Sequence, residues 1–360
     1  MVFLIFQDTA GLPELDFFYF HATLSIRKRW IMKKIRKKLI ISAGAVILAG
    51  VLSGVLRDCS ALQKNSVERS TFTFRTMGTV GAVTLTGNAH DTAPRGNELV
   101  MKAFEEVVRT ANLYDPDSEL SRLNATAADK EFFCSELMWK MIKEAQFAWK
   151  FSGGAFDITV KPLMDMWGFY RKRNQAPGQH EINETMKKTG FDKLILDDSR
   201  RSVRFRIKGM ALDLGGIAKG FALDLAAERL AEIPVSGVLD LGGNLKFTAS
   251  APDGKKSYTV GIKDPSDPGR LRQTVPVSPG QAVSTSGDYE RNITYGGRTY
   301  GHIIDPACGY PPVRRYSATV IAPSAMRADW LSTAVFLRGE VLENKIREQL
   351  PECRVIMVKK

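Results

Sequence analysis

The chain has 360 residues, of which 44% are hydrophobic and 25% are charged, so it can bury a sizeable core and is not extensively disordered. Its formal charge of +12 is compatible with a nucleic-acid partner. However, the positive charge is concentrated near the N-terminus, because residues 1–38 alone carry eight lysines and arginines against three acidic residues. No recognition helix, zinc-finger spacing or strand of interleaved aromatic and basic residues follows, so nucleic-acid binding is not expected. The four cysteines form no C-x-x-C pair and give no metal or redox signature.

The N-terminus has the pattern of an export signal. Residues 1–31 show neither a helical nor a strand period, and we interpret them as an unstructured, over-extended start. A second methionine, Met32, begins a basic segment, and an apolar run then extends from Leu39 to Leu56. Basic residues followed by an apolar run are typical of a signal peptide or a membrane anchor, with the basic end in the cytoplasm. We assign this role to residues 32–58.

Cys59 offers a second means of attachment, which is lipidation as in a bacterial lipoprotein. Arg57 and Asp58 stand where small residues are wanted before a lipidated cysteine, which favours an uncleaved anchor. Either device tethers the protein to a membrane surface. The sequence therefore predicts a protein of the bacterial cell envelope, tethered to the inner membrane with its domain on the periplasmic side. Residues 59–70 are interpreted as a polar linker and residues 71–360 as the folded domain.

Apolar periodicity predicts strands and helices along the whole domain. Thr71–Leu85 alternates as a half-buried strand interrupted at Met77 and Gly78, and residues 95–113 have helical spacing. The polar residues 170–192 are interpreted as a surface excursion. Helix N-caps are predicted at Ser118 and Ser324, and another helix is predicted to begin at Ser135. The second half is rich in short strands separated by Gly, Pro and Asp, which predicts an α+β fold with mixed, largely antiparallel sheets flanked by helices.

The stretch Ala211–Leu225, ALDLGGIAKGFALDL, holds the strongest local signal. A predicted strand end carrying Asp213 runs into two glycines and then into a helix over 217–233, whose first turn includes Lys219. Glycines let a ligand approach the backbone, and helix N-terminal N–H groups with a lysine can face an anion. We interpret the stretch as a phosphate-side binding loop; a simple strand-to-helix connection is the alternative. The pentapeptide LDLGG recurs at Leu239–Gly243, which predicts two glycine turns at the ends of neighbouring strands.

Four more side chains could carry chemistry. Asp157 lies in an apolar run, so its carboxylate must either cap the local turn or receive a donor from a ligand. Asp329 and Thr333 are four residues apart on a predicted helix, so their oxygens share a face and suit Mg²⁺ or Ca²⁺, unless they are merely exposed polar groups. His302 is a candidate general base or a hydrogen-bonded histidine of the core.

Six segments carry a wider pattern, and their order and spacing resemble those of the ApbE family, the FAD:protein FMN transferases. The resemblance covers about residues 70–358 and implies the fold of that family. The segments are Met77–Thr79, the YDPDSELSRLN stretch Tyr114–Asn124, Gly154–Asp157, the DLGGIAKG loop Asp213–Gly220, the HIIDP segment His302–Pro306 and the helix segment Ala328–Thr333.

The resemblance implies Mg²⁺-dependent cleavage of FAD, transfer of FMN through a phosphoester to a threonine or serine of an acceptor protein, and release of AMP. The acceptors would be envelope electron-transfer flavoproteins. The FAD-contacting positions that it implies are Met77, Tyr114, Ala155, Phe156, Asp157, Asp213, Lys219 and Ile304. The metal ligands that it implies are Asp329, Thr333 and the backbone oxygen of Gly216. Relatives can carry an acidic residue where this chain has Ser332, and His302 is our candidate for the base that accepts the hydroxyl proton.

The implied residues agree with the chemistry of that reaction. Pyrophosphate cleavage needs charge neutralisation, which a magnesium ion and a lysine can supply, and a hydroxyl nucleophile needs a base such as histidine. Because these residues are distant in sequence, their convergence is itself a prediction. One alternative is a FAD pyrophosphatase, in which water replaces the acceptor hydroxyl and FMN and AMP are released. Another, of a different class, is a non-catalytic flavin-binding lipoprotein.

Overall fold

Antiparallel strands with helices packed against them make up the structure. This computed structural model describes residues 2–4, 67–88, 91–251, 256–267, 269–287, 292–312 and 316–359. Within these ranges the α-helices are α1 (Thr92–Ala111), α2 (Glu119–Thr126), α3 (Glu136–Phe151), α4 (Lys161–Trp167), α5 (Gln179–Met186), α6 (Ala218–Leu230), α7 (Ala325–Arg338) and α8 (Glu340–Gln349). The strands are β1 (Val2–Leu4), β2 (Val67–Thr76), β3 (Thr79–Asn88), β4 (Phe132–Phe133), β5 (Leu194–Asp197), β6 (Ser202–Phe205), β7 (Ser236–Leu241), β8 (Asn244–Phe247), β9 (Tyr258–Lys263), β10 (Leu271–Val277), β11 (Ala282–Ser286), β12 (Asn292–Tyr295), β13 (Arg298–Gly301), β14 (Tyr316–Ala322) and β15 (Arg354–Lys359).

The largest sheet has seven strands in the order β15-β14-β11-β8-β7-β3-β2, and all of its strand pairs are antiparallel. Helix α6 packs against β7 and β8, α7 against β11 and β14, and α1 against α6 and β3. The core between these layers includes Phe104, Met141 and Trp330, all fully buried. Burying a side chain of this kind contributes about 1.5–3 kcal/mol. The predicted α+β class with largely antiparallel sheets is confirmed.

The stretch predicted as one interrupted strand is instead a hairpin. Strands β2 and β3 pair from Thr76 opposite Thr79, so Met77 and Gly78 form a two-residue turn. Both have positive φ, +48° and +71°, as a type I′ turn requires. The sequence pattern could not reveal this turn because methionine rarely adopts left-handed backbone angles. Strained non-glycine residues of this kind are often found at functional sites.

A second hairpin turn lies beside the first. Gly242 and Gly243, with φ of +65° and +89°, connect β7 to β8. Because β3 pairs with β7, the two turns are at the same end of the sheet, and the N–H of Gly242 donates to the carbonyl of Val80 at 3.1 Å. This turn is the second LDLGG copy, so its strand prediction is confirmed.

The first LDLGG copy does not end a strand, and that prediction is wrong. Residues 211–214 have no regular secondary structure and belong to no sheet. The side chain of Asn124 bonds both the N–H and the carbonyl of Leu212, at 2.7 and 2.9 Å, and the N–H of Asp213 donates to Ile158 at 2.7 Å. These bonds satisfy the backbone in place of a strand partner. Helix α6 follows, shorter by one residue at its start and three at its end than predicted.

The predicted N-caps at Ser118 and Ser324 and the predicted helix start at Ser135 are confirmed. The hydroxyl oxygens of Ser118, Ser135 and Ser324 each accept a hydrogen bond from the backbone N–H three residues on, at 3.1, 3.2 and 3.1 Å. Each cap satisfies one of the unpaired N–H groups of a first helical turn and contributes about 1 kcal/mol. The cap at Ser324 fixes where α7 begins.

The predicted boundaries of the domain need two corrections. Residues 67–70, assigned to the linker, are the first residues of β2 and pair with β3. Strand β1 lies within the segment predicted to be unstructured, and it pairs with β9 over Val260–Ile262. A run of three strand residues is too short to show a period. The predicted signal peptide or anchor at 32–58 lies outside the described residues, and no helix within them is long and apolar enough to cross a membrane.

Helices α6 and α7 are in close contact at Gly220. A Cβ atom on this residue would lie 2.3 Å from the carbonyl oxygen of Ala325, which is backbone and cannot rotate away. We therefore expect Gly220→Ala to lower the free energy of unfolding by about 3 kcal/mol, measured by chemical denaturation. The matched control is Gly178→Ala, because a Cβ there meets nothing within 4 Å. Equal stability losses in both variants would contradict the close approach.

Candidate active site

A cavity of about 1130 Å³ lies at the end of the large sheet where the two hairpin turns meet the glycine turn before α6. This volume is at the upper end of small-molecule sites and has room for a dinucleotide. All twelve residues that the sequence singled out line this cavity. They are Met77, Tyr114, Ala155, Phe156, Asp157, Asp213, Gly216, Lys219, His302, Ile304, Asp329 and Thr333.

The glycine turn before α6 is held by Asp213, a buried residue. Its Oδ1 accepts a hydrogen bond from the N–H of Gly215 at 2.8 Å, and its Oδ2 accepts one from the hydroxyl of Tyr170 at 2.5 Å. The ring of Tyr170 also meets the ring of Tyr114 edge to face, with centroids 5.7 Å apart. Tyr114 is 67% exposed, so its ring is available to a planar ligand. Tyr170 thus connects the aromatic wall of the cavity to the glycine turn.

Asp329 joins α7 to the first turn of α6. The N–H of Gly220 donates to its Oδ2 at 3.0 Å, in place of the usual bond to the carbonyl four residues back, which is that of Gly216. Among the described residues, no hydrogen bond to the Gly216 carbonyl accompanies this change. The Gly216 oxygen and the Asp329 carboxylate are therefore two acceptors brought to the same helix turn.

Charge at this turn is balanced by one lysine. Lys219 Nζ lies 3.9 Å from Asp329 Oδ1 and donates to the carbonyl of Gly215 at 3.2 Å. Burial raises the pKa of Asp329, while the positive charge of Lys219, the Asn244 side chain and the Gly220 N–H oppose this rise. A buried carboxylate beside a cavity favours a bound cation, because the cation offsets the cost of burying the charge.

The donor set fits a hard cation such as Mg²⁺. Asp329 offers a carboxylate, Thr333 a hydroxyl one helical turn later, and Gly216 a carbonyl that has lost its helical partner. Mg²⁺ is held by one or two carboxylates with other oxygens, water and substrate phosphate. No group of three or more His, Cys, Asp or Glu side chains that could hold a metal occurs in the part of the chain that the structure describes. Ser332 is fully buried and does not line the cavity.

Asp157 has a local structural role, which is the first of the two alternatives that the sequence left open. Its Oδ1 accepts from the N–H and the hydroxyl of Thr159, at 2.8 and 2.6 Å, and its Oδ2 accepts from the N–H of Phe191 at 3.0 Å. The carboxylate caps the short 3₁₀ turn Ile158–Val160 at the cavity wall. Burial raises its pKa, and these hydrogen bonds oppose the rise.

We expect the stabilising contribution of Asp157 to fall as pH rises. A carboxyl with a raised pKa in the folded state binds its proton more tightly there, so its contribution is complete below the ordinary pKa of about 4 and is lost as pH rises from there through the raised pKa. At low pH, Asp157→Asn should lower the free energy of unfolding by about 2 kcal/mol. The side-chain NH₂ group of asparagine would face one of the hydrogen-bond donors of Thr159 or Phe191, which leaves that donor without an acceptor. The difference in melting temperature between wild type and variant should narrow as pH rises above about 4. A difference that widens with pH would indicate an anion held by a positive charge.

His302 follows the β12–β13 hairpin, which packs against α4. The hydroxyl of Tyr295 donates to the carbonyl of Trp167 at 2.7 Å, and the rings of Trp167 and Tyr300 are 4.9 Å apart. Trp167 also donates through Nε1 to the carbonyl of Gly309 at 2.8 Å. These contacts hold both ends of the HIIDP segment, so that His302 and Ile304 line the cavity.

Sequence reasoning missed a second set of residues, which hold α7 in place. The carboxylate of Asp224, on α6, accepts hydrogen bonds from Ser324 Oγ and from the N–H groups of Ala325 and Met326, at 2.6, 2.8 and 2.9 Å. Lys246 Nζ pairs with the same carboxylate at 3.1 Å. Asp224 thereby caps the helix that carries Asp329, yet in the sequence it is an ordinary polar position of another helix.

Comparisons with known proteins agree with this fold. The family model of the ApbE family matches residues 77–357. A curated relative from Haemophilus influenzae, named FAD:protein FMN transferase, is 30% identical over 304 residues, which cover 81% of this chain and 88% of the relative. A relative of the same name from Vibrio cholerae is 33% identical over 262 residues, covering 71% and 77%. The crystal structure of an ApbE protein from Thermotoga maritima superposes with a TM-score of 0.75 at 28% identity and covers 81% of this chain and 94% of that one.

The α+β fold and the shared name of these relatives define the class of the protein, which is a transferase. The chain belongs to the ApbE family, the family of FAD:protein FMN transferases.

Proposed function

We propose that this protein cleaves FAD with Mg²⁺ and transfers FMN through a phosphoester bond to a threonine or serine hydroxyl of an acceptor protein, releasing AMP. The observation that carries the proposal is the first turn of α6, where the Gly220 N–H bonds to Asp329 and leaves the Gly216 carbonyl without its helical partner. Two oxygens and Lys219 are thereby gathered at one wall of a dinucleotide-sized cavity. The names of the relatives supply the substrates, FAD and a protein.

In the proposed reaction the acceptor oxygen bonds to the phosphorus of the FMN half of FAD. The bond from that phosphorus to the bridging oxygen breaks, and AMP leaves with the bridging oxygen. A magnesium ion held by Asp329, Thr333 and the Gly216 carbonyl would supply the neutralisation of charge that pyrophosphate cleavage needs. Lys219 supplies a second positive charge, and a ring nitrogen of His302 accepts the proton of the acceptor hydroxyl.

Binding of FAD is assigned to the rest of the cavity wall. The exposed ring of Tyr114, supported by Tyr170, suits the planar flavin. Met77, at the tip of the β2–β3 hairpin, adds an adaptable apolar contact. Asp213 acts through the glycine turn that it holds, and Asp157 acts through the 3₁₀ turn that it caps. Ala155, Phe156 and Ile304 complete the apolar lining.

The experiment is to incubate the full-length protein with FAD and an acceptor protein, with and without Mg²⁺, and to measure released AMP and the FMN bound to the acceptor. We expect AMP release that requires Mg²⁺ and stops when a chelator is added. AMP release at an unchanged rate in the presence of chelator would contradict the proposed metal. Bound FAD that survives Mg²⁺ unchanged would favour the flavin-binding lipoprotein.

We also propose that residues 32–58, or a lipid on Cys59, tether the protein to the periplasmic face of the inner membrane, where it modifies envelope flavoproteins. The supporting observation is the basic and then apolar order of that segment. The test is cell fractionation of the full-length protein and of a variant that begins at residue 59 with serine in place of Cys59. We expect only the full-length protein in the membrane fraction, and equal partition of the two would contradict the tether.

A further inference from the structure

Buried hydroxyl groups connect the candidate metal ligand Thr333 to the interior of the protein. Thr333 Oγ1 lies 3.2 Å from Ser286 Oγ, which lies 2.8 Å from Ser332 Oγ. Ser332 in turn donates to the backbone carbonyl of Asp329 at 2.9 Å. Ser332 is fully buried and Ser286 is 8% exposed. The three hydroxyls therefore form a continuous chain from the cavity wall, across the contact between β11 and α7, and back to the residue that carries the carboxylate.

The protons of this chain can run in two orders. Each hydroxyl has one proton to donate, the Asp329 carbonyl can only accept, and either hydroxyl can be the donor in the two bonds of Ser286. In the first order Thr333 donates to Ser286, Ser286 to Ser332 and Ser332 to the Asp329 carbonyl at 2.9 Å; in the reverse order the last bond is that of Thr333 to the same carbonyl, at 3.5 Å. The shorter final bond favours the first order. Ser284 Oγ also lies 3.2 Å from Ser332 Oγ, but it donates to Asn244 Oδ1 at 2.7 Å and so supplies no proton to the chain.

The first order determines what Thr333 presents to the cavity. A hydroxyl whose proton is held by Ser286 turns its lone pairs the other way, as a ligand to a cation must. A freely rotating hydroxyl would spend part of its time with its proton toward the cation. Outer partners that orient metal ligands in this way change metal affinity by about 10–100-fold when they are removed.

We propose that Ser286 and Ser332 are positioning residues that fix the proton of Thr333, so that its oxygen faces a divalent cation. The inference rests on the proposed function, since it assumes the cation site of Asp329, Thr333 and Gly216. It also gives Ser332 a role: where relatives can carry an acidic residue, this chain has a hydroxyl that orients the neighbouring threonine from behind.

The test is binding of Mn²⁺, used as a probe for the divalent site, to the full-length protein, measured from the electron paramagnetic resonance signal of free Mn²⁺. We expect Ser286→Ala and Ser332→Ala each to weaken Mn²⁺ binding by about tenfold. Ser286→Thr keeps a hydroxyl at the same position and should restore binding to within about threefold of wild type. The metal concentration for half-maximal FAD cleavage should rise in parallel, with a smaller change in kcat.

The matched control is Thr319→Val, which removes another fully buried hydroxyl of the same sheet, bonded to Thr285 at 2.8 Å. We expect a similar loss of melting temperature in Thr319→Val and Ser286→Ala, but weaker Mn²⁺ binding only in the latter. Equal Mn²⁺ affinity in wild type and Ser286→Ala would overturn the inference while leaving the proposed function intact. A wild-type protein that binds no Mn²⁺ and cleaves no FAD would overturn the proposed function as well.

Discussion

Asp329→Asn should reduce Mg²⁺-dependent cleavage of FAD by about a thousandfold, measured as AMP release by the full-length protein in the presence of an acceptor protein. Asparagine keeps the size of the side chain and an oxygen that can accept the Gly220 N–H, but it removes the negative charge that a cation needs. Because burial raises the pKa of Asp329, the charged carboxylate is costly to the metal-free fold. The metal-free variant should therefore melt at the same temperature as wild type or higher. Function, not folding, would then account for the lost activity.

Asp240→Asn is the matched control for this experiment. Asp240 also lines the cavity, its pKa is also raised by burial, and it accepts the N–H of Gly243 at 2.8 Å. It belongs to the second LDLGG turn, to which we assign no metal, so its variant should keep activity within about tenfold of wild type. If Asp240→Asn lost activity and Asp329→Asn retained it, the metal would have to bind at the second LDLGG turn instead of at α6 and α7.

His302→Gln should reduce transfer of FMN to an acceptor by about 10²–10⁴-fold near neutral pH, because it removes the proposed base. The hydroxyl of serine or threonine is a poor nucleophile until a base accepts its proton. The loss should fall on kcat, and binding of FAD, measured by quenching of flavin fluorescence, should change by less than about threefold. At high pH, where hydroxide can replace the base, the difference between wild type and variant should shrink.

The control for the histidine is His180→Gln, because His180 is exposed on α5 and does not line the cavity. Its activity should equal that of wild type. A His302→Gln variant that loses affinity for FAD but transfers FMN at the normal kcat would contradict a role as base, and would make His302 a binding residue instead.

Structural features that depend only on residues close together in the sequence could be predicted from it. The caps at Ser118, Ser135 and Ser324 are local, since each serine bonds an N–H three residues away. Strands β9 and β11 belong to the half of the chain where short strands are predicted, because they are short, contain β-branched residues and are bounded by turn residues. In contrast, Ala211–Leu214 has strand-like composition but no strand partner, since Asn124 bonds its backbone. Composition cannot reveal a competing partner so far away in the chain.

Some residues of the candidate site could likewise be predicted from the sequence, and others could not. Residues within the recognisable segments, such as Asp213 and Lys219, were found from those segments, and the structure brings them to one cavity. Tyr170, Asp224 and Ser286 were missed because their importance depends on partners that the fold brings from other elements. For Asp157 the sequence leaves two roles open, because an aspartate in an apolar run can either bind a ligand or cap a turn. The structure shows that its oxygens accept hydrogen bonds from Thr159 and Phe191.

The measurement that tests the central claim most directly is a mass spectrum of an acceptor protein after reaction. The probe is the protein substrate of the Vibrio cholerae FAD:protein FMN transferase, which is 33% identical to this chain over 262 residues. After incubation with the full-length protein, FAD and Mg²⁺, we expect the acceptor to gain the mass of FMN less one water, on a threonine or serine, with one AMP released per acceptor. An unmodified acceptor beside free FMN and AMP would contradict the transferase account and identify a FAD pyrophosphatase.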